Sequence, residues 1–214
     1  ELPDSLLAFE GYGVVNAHVE TGTAWEHGDF AIDPHDTYPA RPDYFEDREM
    51  RQAIAYCLDR QAIVNAVTAG YSQVLNTYIP AEHPLYPGDE NLTLYPHNVV
   101  SGTELLASLG WTDANGDGIR ECNSCTTAGA AEDDPLTFSW LTLDIPLRST
   151  YAQIARADLA ECGIDLVVDT RPSDDYWWRN FYRFYDMSSF AWISDFEPPC
   201  DLYVSDQIPS DANN

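Results

Sequence analysis

Residues 136–193 read LTFSWLTLDIPLRSTYAQIARADLAECGIDLVVDTRPSDDYWWRNFYRFYDMSSFAWI, and their periodicity decides the fold class. Leu136 to Leu143 is a short apolar-rich run of strand length, ended by Asp144. From Thr150 to Cys162 the apolar positions Tyr151, Ile154, Ala155, Leu159 and Cys162 recur with helical spacing, and Gly163 supplies a stop. Ile164 to Val168 is β-branched and strand-like, Asp174 to Phe184 reads as an aromatic-rich helix, and Met187 to Ile193 as a further strand. Strand, helix, strand, helix, strand is the order of an α/β protein, a mixed sheet flanked by helices.

Toward the N-terminus, Met50, Ala53, Ile54, Cys57 and Leu58 put one apolar face on a helix over 47–58. Asp59 can cap a second helix over 59–69, which Gly70 ends. Ser101-Gly102-Thr103-Glu104 has the spacing of a capping box and predicts a helix over 101–109, with Leu105, Leu106 and Leu109 buried behind it. Alternation in Val14–Val19 and again in Trp25–Ile32, around Thr21-Gly22-Thr23, predicts a hairpin. Prolines break 33–43 and 71–98 into loops. No second core pattern is present, so 1–214 is expected to form one lobe.

The 214 residues are 44% hydrophobic and 13% aromatic, enough for a buried core. With 36 Asp and Glu against 10 Lys and Arg the net charge is −26, and there is no Lys at all. Clustered basic residues are what a phosphate backbone or an anionic membrane requires, so nucleic acid is excluded as a partner and anionic lipid is disfavoured. No apolar run approaches the ~20 residues that span a bilayer. Five cysteines, with Cys122 and Cys125 close together in a polar loop, fit an oxidising compartment. A local disulfide suits that pair better than zinc, because no second CxxC or HxxxH completes a site. The absence of an initiator Met at Glu1 is what a processed or excised segment would show.

Several segments resemble, in order, the family 5 extracellular solute-binding proteins. Asp47-Arg48-Glu49-Met50-Arg51-Gln52-Ala53-Ile54-Ala55-Tyr56-Cys57-Leu58-Asp59-Arg60 looks like that family's first helix pair. Leu105-Leu106 through Gly110-Trp111, then Asp113-Ala114-Asn115-Gly116-Asp117-Gly118-Ile119-Arg120-Glu121, is similar to its Gly-Trp and Asp-Gly-Asp-Gly stretch. Ala160-Glu161-Cys162-Gly163-Ile164-Asp165 and Trp192-Ile193-Ser194-Asp195 match two later motifs. The resemblance implies one lobe, the C-terminal one, of a two-lobed type II periplasmic-binding-protein fold, with the N-terminal lobe and the final return segment absent from this sequence. It further implies a receptor that passes peptides or similar solutes to an ABC permease in the membrane. Such a receptor works outside the cytoplasmic membrane, in a periplasm or at the cell surface, where a lipid anchor on the full-length protein can hold it. Relatives that take up oligosaccharides or metal chelates leave an oligosaccharide ligand as the alternative.

By motif position Asp195 is where peptide-binding relatives hold the ligand's ammonium group, with Trp192 as an apolar wall. A capping role is the alternative for Asp195. Arg148 lies just before the helix predicted at Thr150, where relatives place a carboxylate-binding Arg; a solvated role is its alternative. The aromatics Tyr176, Trp177, Trp178, Phe181 and Tyr182 are too many for one buried helix face, so some should line a surface. Asp113, Asn115 and Asp117 stand at positions 1, 3 and 5 of a calcium-loop pattern, but position 12 is Ser124 and the bidentate Glu is missing. An Asx-rich turn without metal is the other reading, and no further cofactor is expected. A catalytic alternative, paired carboxylates at Asp195 and Glu197 serving glycoside hydrolysis, lacks the support of any GxSxG, Walker, dinucleotide or HExxH motif. A non-enzymatic binding protein is therefore expected.

Overall fold

The computed structural model describes residues 9–10, 22–31, 41–79 and 81–195. Along the chain run β1 (Phe9–Glu10), β2 (Gly22–Phe30), α1 (Arg48–Cys57), α2 (Arg60–Thr68), α3 (Val99–Ser108), β3 (Trp111–Thr112), β4 (Glu121–Cys122), β5 (Thr137–Leu143), α4 (Pro146–Glu161), β6 (Asp165–Arg171), α5 (Ser173–Phe181) and β7 (Met187–Asp195). A sheet of order β1-β2-β7-β5-β6 is mixed: β5 runs parallel to β6 and β7, while β2 is antiparallel to β7 and to β1. Helices flank it, as predicted. The predicted strand at Val14–Val19, the loop residues 32–40, Glu197 and Cys200 lie outside the described residues.

Alternation along the strands sorts side chains to two faces. Phe138, Trp140 and Leu166 point to the core, where they join Tyr151, Ala155 and Leu159 of α4 and Met50, Ile54 and Ile63 of α1 and α2 in one buried cluster. Intervening residues Ser139, Val167 and Asp169 line a cleft on the face that carries Trp178 of α5.

Several boundaries differ from the sequence reading. Helix α3 starts at Val99, and its cap is Asn98, whose side chain accepts from Ser101 N at 3.1 Å; the Ser101 capping box is not used. Helix α4 starts at Pro146, with Ile145 extended before it. Proline is tolerated in the first turn because its missing N–H would have had no partner there. Arg148 therefore sits inside α4 instead of ahead of it. The loop predicted over 113–135 contains β4, which pairs with β3 through Trp111↔Cys122 and Thr112↔Glu121. By contrast, α2 is capped as expected, Asp59 Oδ1 accepting from Ala62 N at 2.8 Å.

Candidate functional site

β7 is the strand on which a site can be built. On one side it pairs with β2 along its length, from Phe30↔Met187 to Gly22↔Asp195. On the other side its described pairs with β5 are Trp140↔Met187 and Leu141↔Ser188; two residues later β5 ends at Leu143 and the chain turns into α4. The Ser189 carbonyl is satisfied by the Tyr176 hydroxyl at 2.7 Å. From Ala191 to Asp195 no described strand pairs with that edge. An open edge of this kind is a template for an extended chain. Trp192 and Asp195 belong to its backbone; their side-chain contacts lie outside the described residues.

Arg148, in the first turn of α4, lies beneath this edge. It is buried and donates from Nε and Nη2 to Oε2 and Oε1 of Glu26 on β2, both at 3.0 Å. Tyr151 OH adds a bond to Glu26 Oε2 at 3.2 Å. The guanidinium carbon stands 5.4 Å from the Phe190 ring centroid, within reach of a cation–π contact. Burial pulls the Arg148 pKa down, and the hydrogen bond and charge of Glu26 more than offset it, leaving the group raised. Burial, with the Glu26 charge, holds the Tyr151 hydroxyl well above its ordinary range. Arg148 is thus not solvated, and of its guanidinium nitrogens Nη1 is buried without a hydrogen-bond partner among the described residues. Glu26 went unremarked in the sequence because its partner is 122 residues away; only its place in an alternating strand was visible.

Helix α5 divides its aromatics as the sequence predicted. Tyr176 is fully buried, its hydroxyl 3.1 Å from Ser188 Oγ, whereas Trp177, Trp178, Phe181 and Tyr182 are 46–62% exposed. Trp177 packs edge-on against Phe190, centroids 4.9 Å apart, and so adds a wall beside the open edge.

The Asp113 loop is the turn of the β3–β4 hairpin. Asp113 accepts from Gly116 N (2.7 Å) and Gly118 N (3.1 Å), Asn115 from Asp117 N (2.8 Å), and Asp117 from Ile119 N (2.9 Å). Glu121 accepts from Ala114 N (3.0 Å) and from Asn115 Nδ2 (2.6 Å). Carboxylate oxygens of Asp113, Asp117 and Glu121 lie within 4.8 Å of one another. Glu121 was missed as a member of the group, although it occupies position 9 of the same loop count. The loop stands away from β7 in the chain, and no contact among the described residues links it to the open edge.

Both remaining pairs of cysteines are bonded: Cys122 to Cys125, as the spacing favoured, and Cys57 to Cys162. No helix of the described residues is long and apolar enough to cross a membrane.

Comparison with known proteins fits this architecture. The model of "Bacterial extracellular solute-binding proteins, family 5 Middle" matches residues 12–214. Oligopeptide-binding protein AppA of Bacillus subtilis (strain 168) is 41% identical over 80 residues, covering 36% of this chain and 14% of that protein. Among solved structures, B. subtilis AppA with a nonapeptide has TM-score 0.64 and 23% identity, covering 88% of this chain and 35% of that one. Lactococcal OppA with an endogenous peptide, in its closed conformation, has TM-score 0.67 and 16% identity, covering 85% and 34%. MelB of Agrobacterium fabrum C58 with stachyose has TM-score 0.60 and 21% identity, covering 68% and 21%. The chain thus spans about a third or less of these relatives and shares with the solved ones the type II periplasmic-binding-protein fold. The match over residues 12–214 makes the chain a member of the family 5 extracellular solute-binding proteins.

Proposed function

We propose that the chain is the C-terminal lobe of a non-catalytic receptor, working outside the cytoplasmic membrane, that binds peptides or similar solutes and presents them to an ABC permease. The open edge of β7 from Ala191 to Asp195 carries this reading. An extended peptide can satisfy those backbone groups as an added strand, with side-chain pockets setting preference. Asp195, at the end of the edge, meets the peptide's ammonium group, Trp192 supplies a wall, and Arg148 lies under the start of the edge. AppA and OppA, both solved with peptides, support a peptide ligand. Opposing walls come from the N-terminal lobe, since half of a two-lobed pocket belongs to each lobe.

MelB, solved with stachyose, and the exposed Trp177 beside Phe190 favour an oligosaccharide as the second reading. Calorimetric titration of the full-length receptor with peptides of four to nine residues and with oligosaccharides separates the two. Saturable peptide binding without turnover is the expected result, and hydrolysis of any ligand would overturn the reading. The Asp113–Glu121 loop is closed by its own hydrogen bonds and is read as structural. Calcium on Asp113, Asn115 and Asp117 is the second reading there, assigned if millimolar calcium raises Tm and a chelator reverses the rise.

A further inference from the structure

A cleft of about 590 Å³ opens at the other end of the sheet, where β5 and β7 begin. It lies roughly 25 Å from Asp195 along β7, at ~3.3 Å per strand residue. Trp178, in the last turn of α5, forms one wall; its indole is 52% exposed and rests against Phe184, centroids 5.1 Å apart. Facing it are two acid–base pairs. Arg41 Nε is 3.2 Å from Asp186 Oδ1, and Arg179 Nη1 is 3.6 Å from Asp169 Oδ2.

These groups are held in place by the fold. Asp186 Oδ2 accepts from Ser139 N at 2.7 Å and from Ser139 Oγ at 2.6 Å. Arg41 Nη2 donates to the Arg183 carbonyl at 2.9 Å, and Arg179 Nε donates to Asp175 at 3.2 Å. Two carboxylates against two guanidinium groups leave the lining formally neutral, so an ion of either sign meets as much repulsion as attraction. A purely apolar occupant would strip water from Asp169 and Arg179, whose side chains are 21% and 26% exposed, and return no hydrogen bond. What fits is a neutral molecule with an apolar face for the indole and a rim of hydroxyls able both to donate to the carboxylates and to accept from the guanidinium groups. A pyranose ring has that construction.

We propose that this cleft is a second binding site of the chain, for a neutral hexopyranose, separate from the β7 edge. The ring can be a free sugar or one unit of a longer glycan, since the contacts read only the ring. The test is saturation-transfer NMR on the full chain with methyl α-glucoside, methyl α-galactoside and maltotetraose. Saturable binding is expected with at least one of them in the millimolar range. Trp178→Ala should weaken it at least tenfold, Trp178→Phe should recover part, and Asp169→Asn and Arg179→Gln should each weaken it several-fold. Phe181→Ser, on the same helix but outside the cleft, should bind like the parent. Tighter binding of maltotetraose than of the monosaccharides assigns the site to a glycan chain, and equal binding assigns it to free sugar. The absence of saturable binding at tens of millimolar, or equal binding by Trp178→Ala and the parent, overturns the proposal. An equal loss in Phe181→Ser also overturns it, because that result marks unspecific stacking on exposed aromatics.

Discussion

Cys57, the last residue of α1, is bonded to Cys162, the C-cap of α4, 105 residues away in sequence, and so ties the two helices together. α3 crosses this bridge at Gly102, where a Cβ would fall 2.4 Å from Cys57 Sγ and 3.1 Å from the Ala53 carbonyl. A loop of this length, once closed, removes unfolded-state entropy worth about 4–5 kcal/mol on the chain-entropy model. The double change Cys57→Ala with Cys162→Ala should therefore lower the denaturation midpoint strongly. Gly102→Ala should cost about 1–3 kcal/mol by overpacking. Combined with the cysteine pair removed, the same glycine change should cost clearly less, because the clashing sulfur is gone. Equal cost in both backgrounds, read from urea titrations as a double-mutant cycle, would contradict the contact.

Glu26 and Arg148 form the other long-range tie, both buried and joined by two hydrogen bonds of 3.0 Å. Removing one partner leaves a buried charge unpaired, so Glu26→Ala should destabilise by about 3–5 kcal/mol. Glu26→Gln, which keeps acceptors but not the charge, should cost less. Glu26→Leu with Arg148→Met replaces the pair by packing and should be milder than Glu26→Ala alone. Thermal melts of the four proteins check the order.

Local periodicity made the helices and the main strands legible, because each buries a face that repeats every 3.6 or 2 residues. The face that the spacing predicts for α1, Met50, Ala53, Ile54, Cys57 and Leu58, is buried throughout. Failures fall where the signal is not periodic. The apolar period starts at Tyr151, but the helix starts at Pro146, so Arg148 lies inside α4 and not just before it. The two-residue strands β3 and β4 are too short to show alternation. Partners such as Glu26 for Arg148, or Cys57 for Cys162, depend on how distant segments meet, which no local pattern encodes. The open edge of β7 lies beyond the residues that pair with β5, and register across a sheet is invisible in one strand's residues.

Asp158 on α4 gives a pH dependence. Burial raises its carboxyl above the ordinary value of 3.8, against the lowering effect of its hydrogen bond from Asp59 N, 3.0 Å long. The folded protein holds this proton more tightly than the unfolded chain does, so its contribution is present at low pH and is lost as pH rises through the raised pKa. Acidifying from neutral pH to just above the ordinary carboxylate range should therefore raise Tm in the parent more than in Asp158→Asn. Parallel Tm profiles for the two proteins would exclude this assignment.

Salt should act in the same direction through a different cause. A net charge of −26 makes the folded chain repel itself, and added salt screens that repulsion. Tm should climb with sodium chloride between dilute buffer and about 1 M, where the screening length falls to roughly 3 Å. A Tm independent of salt would show that repulsion among the carboxylates does not limit the stability of the fold.

The ligand contact is tested at Asp195, at the end of the open β7 edge. If its carboxylate meets a ligand ammonium group, Asp195→Ala removes a charge-assisted bond of about 1.5–3 kcal/mol, a loss of roughly 10- to 150-fold in affinity. Asp195→Asn should recover part of that loss. Trp192→Ala should also weaken binding, through lost apolar contact, and its effect should change little with ionic strength. A capping role for Asp195 makes the opposite forecast: Asp195→Ala would lower the Tm of the unliganded protein and leave affinity unchanged. The variants belong in the full-length receptor, where the edge can be faced by the second lobe, and calorimetry at low and high salt reads both affinity and its charge dependence. If peptide affinity in Asp195→Ala equals that of the parent at low salt, the ammonium contact is elsewhere, and the backbone edge from Ala191 onward must anchor the ligand without it.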